Sequence, residues 1–172
     1  MITHWGMSGP AILRLSAWGA RELAVANHRF EIEVNWVNKD FNTVKETLKQ
    51  FKQNHPKRGV ATTPMFGIPK RLWERLTANN QKNFADLSNQ TIETLARELS
   101  ASRYLVTGKS TYKDEFVTSG GVSLTDIDFR TLQSKKVPSL YFAGEVLDVD
   151  AITGGFNFQA AWTTAFIASQ TI

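Results

Sequence analysis

The chain has 172 residues, 42% of them hydrophobic, a net charge of +4 and no cysteine. It is long enough for one ordinary domain, or a domain with a subdomain, and the missing cysteines exclude a disulfide scaffold, a thiolate-ligated metal and a thiol redox pair. No apolar run is long enough to span a membrane and no basic-then-apolar leader opens the sequence, so the cytoplasm is the expected compartment.

In chain order, "SGPAILRLSAWGARELA" begins with Ser8 as a candidate N-cap and Pro10 in the first turn, and predicts a mostly buried helix. "RFEIEVNWV" alternates Phe30, Ile32, Val34 and Trp36 with Glu31, Glu33 and Asn35, the period of a strand with one wet face. "TVKETLKQF" sets Thr43 and Glu46 at capping-box spacing, with Val44, Leu48 and Phe51 on one helix face. "IPKRLWERL" predicts a short helix starting near Pro69. "SNQTIETLARELSAS" predicts one capped by Ser88, with Ile92, Leu95, Ala96 and Leu99 along one side. Together these predict a small all-α subdomain over about residues 42–102. "YLVTG", "EFVTSGGVSL" and "SLYFAGEV" then predict short β pieces, the last with a buried strand over Ser139–Ala143. A closing helix is predicted from about Asn157 to Ser169.

Most of the usual chemistry is missing. His4, His28 and His55 lack partners at metal-ligand spacing, and no metal site is expected. "GMSGP" has Gly6 before Ser8 but Pro10 where a nucleophile elbow needs glycine. The basic surplus concentrates in "KQFKQNHPKR" and at Lys135–Lys136. Without a longer basic stripe interleaved with aromatics it reads as a solvated face, and no nucleic-acid partner is expected. No G-x-G-x-x-G follows a predicted strand.

"GEVLDVDAITGGFNFQAAW" is different. Gly144 lets the backbone turn at a strand end, where ligands of open α/β sheets sit, and Glu145 presents an acceptor-only carboxylate suited to vicinal hydroxyls. Gly154 and Gly155 clear space for a flat ligand before a helix whose first N–H groups and positive dipole end face it. An isoalloxazine ring suits that geometry; a plain strand, glycine turn and packing helix suits the residues equally well.

Three separated stretches, "THWGMSGPAIL", "FVTSGGVSL" and "GEVLDVDAITGGFNFQAAWTTAFIA", together resemble the BaiN/YhiN-type family of FAD-dependent oxidoreductases, in order and from end to end. The resemblance implies a mixed α+β and α/β chain. Residues 1–113 would be part of an insert domain, with β-barrel strands and the helical subdomain. Residues 114–172 would be the C-terminal segment of a glutathione-reductase-type FAD-binding domain, the N-terminal unit that grips the ADP half being absent. It implies FAD as cofactor, NAD(P)H as reductant and hydride passage from the flavin to a small organic acceptor. It assigns Gly144 and Glu145 to the ribityl–pyrophosphate region, with Asp148 and Asp150 in the adjoining turn. Gly154, Gly155, Phe156 and Asn157 fall beside the flavin ring, with Gln159 following, and Ser119, Gly120 and Gly121 near the domain's re-entry. Ala151 departs from the glycine usual there. His4 is the candidate proton donor. Two other readings stand beside the enzyme fragment: a non-catalytic contact module derived from such an enzyme, and a nucleic-acid-binding role for the basic helical part. Exposed strand edges would also permit self-association.

Overall fold

The computed structural model describes residues 1–4, 6–110 and 117–171. The chain divides into two compact units, Phe30–Thr107 and Met1–Arg29 with Gly108–Ile172. The boundary expected at Lys113 lies outside the described residues, as do Trp5, Glu115 and Phe116 of the quoted motifs.

In the unit Phe30–Thr107, strand β1 (Phe30–Val34) pairs antiparallel with β2 (Ser102–Val106), Ile32 opposite Tyr104. The predicted alternation holds: Phe30, Ile32 and Val34 are half-buried while Glu31 and Glu33 face outward. Arg103 of β2 reaches both glutamates at 3.5 Å, the opposite-charge cross-strand arrangement expected on a wet face. Between the strands lie α3 (Phe41–Asn54), α4 (Lys70–Leu76) and α5 (Asn89–Ser100). They enclose a core of Val44, Leu48, Trp73, Phe84, Ile92, Ala96 and Leu99. The indole N–H of Trp73 donates to the Val60 carbonyl at 2.7 Å, so this large side chain is fully buried with its polar atom satisfied.

Helix starts follow local chemistry. Ser88 caps α5, its hydroxyl accepting from the Thr91 N–H at 3.1 Å, as the sequence predicts. The capping box expected at Thr43 and Glu46 does not form. Asp40 is the N-cap of α3, accepting from the Thr43 N–H at 3.0 Å and from its hydroxyl, and Glu46 pairs with Lys49 instead. An aspartate three residues upstream competes successfully because its charge also meets the positive helix end.

The second unit is looser. It holds α1 (Pro10–Trp18), α2 (Ala20–Val25), the two-residue strands β3 (Ile127–Asp128) and β4 (Gln133–Ser134), and α6 (Phe156–Ser169). Its core is Ile127, Leu132, Leu147 and Ala168. Two expectations fail here. Helix α1 starts after Gly9 rather than Ser8 and buries no residue; Trp18 is 73% exposed. Ile12 and Ala17 are half-buried, while Leu13, Leu15 and Trp18 are exposed. Ser139–Ala143 is not a strand. Ser139 has positive φ, and among the described residues the segment pairs only with Leu132–Ser134, Tyr141 bridging Gln133 and the Phe142 N–H donating to the Leu132 carbonyl at 3.0 Å. The architecture is thus mixed α and β, and among the described residues no sheet exceeds two strands. None of the described helices is long and apolar enough to cross a membrane.

Candidate functional site

Two of the three glycine-rich motifs meet within the second unit. After Gly121 the chain runs beside the segment following Gly144: Val122 and Leu147 form a parallel bridge. The Val122 N–H donates to the Val146 carbonyl at 2.8 Å, and the Asp148 N–H to the Val122 carbonyl at 3.0 Å. Gly121 has φ +152 and its α-carbon abuts this backbone; a Cβ there would lie 2.6–2.8 Å from Val146 O, Leu147 C and Asp148 N. No side chain fits at that distance, so the close approach requires glycine. Gly120 has open space beside it and Ser119 is exposed.

Gly144, with φ +79, opens a single 3-10 turn, Gly144–Val146. Its N–H donates to the Thr164 hydroxyl of α6 at 2.9 Å, which fixes the turn against the helix. Glu145 projects outward from this turn, exposed and with no hydrogen bond or ion pair among the described residues. Leu147, fully buried, anchors the other side.

The "TGG" step leads directly into α6. Gly155 is the N-cap, left-handed at φ +91, with no side chain capping the helix. Among the described residues no side chain therefore bonds the first N–H groups of α6, and the space beside the Gly155 α-carbon is open. Asn157 holds this loop. Its Oδ1 accepts from the Ala151 N–H at 2.8 Å and its Nδ2 donates to the Ala151 carbonyl at 2.9 Å. Both ends of the amide are spent on the backbone, so the side chain shapes the loop. Gln159, exposed, donates to Thr163 at 3.0 Å. Phe156 is exposed, as are Phe158, Trp162 and Phe166 farther along the helix.

Asp148 is also committed. One terminal nitrogen of Arg21, in α2, bonds its two carboxylate oxygens at 2.5 and 2.7 Å. That hydrogen bond, then the charge of Asp148, raise the Arg21 pKa further, with a smaller contribution from Asp150. Of the acidic residues predicted at this turn, Glu145 and Asp150 form no hydrogen bond or ion pair among the described residues; Glu145 is the exposed one and Asp150 is half-buried. Sequence reasoning missed Arg21 and Thr164, since no local pattern links either to the turn it holds.

The start of α1 and Thr153 line a cleft of 230 Å³ with Leu13 and Arg14. Arg14, exposed and without an ion pair among the described residues, brings a cation beside the "TGG" loop. His4 is not among the residues lining the cleft; it sits, exposed, on the turn closed by the Ile2–Met7 bridge. Among the described residues no cluster of three or more His, Asp or Glu could hold a metal ion.

Comparison with known proteins locates the chain. Residues 1–117 match the family described as HI0933-like protein barrel and H2TH domain. The chain is 34% identical, over 99% of its own length, to a ribosomal RNA dihydrouridine synthase of Escherichia coli, and 32% identical, over all of it, to one of Haemophilus influenzae. It is 30% identical, over 98%, to a 3-dehydro-bile acid delta(4,6)-reductase of Clostridium scindens. It spans 41% of the first two relatives and 42% of the third. These names are those of enzymes that act on quite different molecules. The motif resemblance and the family match agree: the chain belongs to the HI0933-like family.

Proposed function

We propose that the chain is the C-terminal portion of an FAD-dependent oxidoreductase that saturates a carbon–carbon double bond conjugated to a carbonyl. The observation that carries this is the packing of Gly121 against residues 146–148. It joins the "SGGV" loop to the Gly144–Val146 turn, with Glu145 uncommitted beside it and the uncapped start of α6 in the same unit.

These residues fit the cofactor. The Glu145 carboxylate can accept from ribityl or ribose hydroxyls and needs no competing partner broken. Gly155 leaves the α6 N-terminus without a capping side chain, with the Phe156 ring against Gly154, and the N–H groups and dipole there favour an electron-rich ring edge. Arg14 stands beside the same loop as a further cation. Asn157 holds the Ala151–Asn157 loop in shape by its two bonds, and Arg21 holds the Asp148 turn. FAD, when bound, would take a hydride from NAD(P)H and pass it to the acceptor.

The relatives' names narrow the acceptor. Dihydrouridine is uridine saturated at C5–C6, and a 3-dehydro steroid with 4,6 unsaturation is a conjugated dienone. In both, a carbonyl draws electron density from the alkene, so hydride adds at the far carbon and a proton at its neighbour. Two relatives named for ribosomal RNA, at the higher identities, support a uracil ring in RNA as the acceptor here. This departs from the expectation of no nucleic-acid partner. The test is the full-length protein with FAD, NADPH and ribosomal RNA, read by dihydrouridine in nuclease digests. Dihydrouridine formed only with the reductant supports the proposal. Its absence, with reduction of a steroid dienone instead, would move the acceptor to the second class.

A further inference from the structure

The charge is distributed unevenly. The unit Phe30–Thr107 carries twelve Lys and Arg against eight Asp and Glu, while the rest of the chain carries eight of each. The whole surplus of +4 therefore lies in the helical unit. Within residues 45–82 there are nine Lys and Arg and only Glu46 and Glu74 to oppose them.

The fold gathers residues that the sequence separates. Gly59 and Asn83 form an antiparallel bridge. The Phe84 N–H donates to the Arg58 carbonyl and the Val60 N–H to the Lys82 carbonyl, each at 2.9 Å, so Arg58 and Lys82 flank one short ladder. Helix α4 is tied to the same ladder by the Trp73–Val60 bond, and the turn after it by the Ala61 N–H donating to the Asn80 carbonyl at 3.2 Å. Lys57, Arg58, Arg71, Arg75 and Lys82 are all exposed and form no ion pair among the described residues. Lys45, Lys49 and Lys70, by contrast, pair with Glu93, Glu46 and Glu74. The turn Asn54–Arg58 also borders an open depression of 450 Å³, and its His55 ring packs on Phe51 at 4.6 Å between centroids.

We infer that Lys57, Arg58 and Lys82, supported by Arg71 and Arg75, form a phosphate-contacting face by which the helical unit holds RNA. This rests on the RNA-acceptor reading for its choice of polyanion. Unpaired cations on a rigid ladder meet a phosphate backbone without first breaking ion pairs, and each contact releases counterions. An open depression beside an imidazole suits an unstacked base.

The test is binding of a fluorescein-labelled RNA stem–loop with uridines in its loop to the 172-residue chain, by anisotropy across a salt series. K57E/R58E is expected to weaken binding at least tenfold and to lower the salt slope by about 1.5, at roughly 0.7–0.9 per lost phosphate contact. K82E should weaken it further, and the neutralising K57Q/R58Q should lie between. R130E/K135E, the same charge change in the other unit, should leave Kd within about twofold. Equal loss in both double variants would mean a net-charge effect and overturn the face, as would binding to phosphatidylserine vesicles but not RNA. In the full-length protein the two readings separate. RNA bound through this face without dihydrouridine leaves the face standing and removes the acceptor. Dihydrouridine formed by K57E/R58E at unchanged KM removes the face alone.

Discussion

The Asn157 carboxamide clasps the Ala151 peptide from both sides, accepting from its N–H and donating to its carbonyl. The two residues bracket the "ITGGF" loop, so one side chain sets the conformation that leaves Gly155 open at the start of α6, with the Phe156 ring against Gly154. Neither glycine can hold the loop itself, since each lacks a side chain and both have positive φ.

Asn157→Ala should therefore cost about 1–2 kcal/mol in stability, from two part-buried hydrogen bonds. It should speed amide exchange at Thr153–Gly155 more than in the helix beyond Gln159. Asn157→Asp keeps the acceptor and loses the donor, so it should fall between the two. Exchange rates unchanged in Asn157→Ala would show that the loop is held by something else.

Gly121→Ala should be worse than Gly120→Ala. Both have positive φ, but only at Gly121 does a Cβ run into backbone atoms. Overpacking of this kind costs about 1–3 kcal/mol, and the Val122 and Asp148 amides should lose exchange protection. Equal Tm losses in the two variants would mean that backbone strain, not crowding, sets the requirement.

The helical unit should lose stability in acid through two carboxyls. The Thr43 hydroxyl and N–H hold Asp40 below the usual carboxylate range, and Lys45 does the same for Glu93 by hydrogen bond and charge. In the unfolded chain both return to roughly 4. Below that value the unfolded chain binds more protons, so their contribution is complete above about pH 5 and fades as pH falls through the lowered folded values. D40N/E93Q should flatten the acid limb of a stability–pH profile. Asn caps helices as well as Asp, so stability at neutral pH should change little by loss of the cap. An unaltered acid limb would move the cause to other groups.

Trp73→Phe should destabilise the same unit by about 2 kcal/mol, leaving the Val60 carbonyl with only the longer bond from the Thr63 N–H at 3.3 Å. Ser88→Ala should cost about 1 kcal/mol through α5 alone. Urea titrations distinguish them: a smaller loss at Trp73 than at Ser88 would contradict the core described here.

What the sequence disclosed followed the range of the interaction. Helix α5, its Ser88 cap and its buried Ile92–Leu99 stripe were legible because each signal lies within a few residues. The β1 alternation was legible because period two is local. Asp40 displaced Thr43 as a cap because its charge meets the positive helix end, and the capping-box spacing of Thr43 and Glu46 points three residues too far along. Ser139–Ala143 has strand composition, yet a strand also needs neighbours, and among the described residues its backbone pairs only with Leu132–Ser134. Helix α1 is apolar in sequence, but composition does not say whether a surface covers it. At the site, the glycines and Glu145 were legible as residue types. The Arg21–Asp148 pair and the Arg58–Lys82 ladder were not, because only folding brings them together.

The central claim is that the Gly144–Val146 turn and the bare α6 N-terminus hold FAD. The most direct measurement is an FAD titration by flavin fluorescence on the full-length protein, wild type against Glu145→Ala, with the 172-residue chain titrated alone. Wild-type binding, weakened at least tenfold in Glu145→Ala with the fold intact by circular dichroism, is the result expected, since a carboxylate–hydroxyl contact removed from a buried ligand costs about 1.5–3 kcal/mol. Equal affinity in wild type and variant, or no FAD bound by a folded full-length protein, would contradict it.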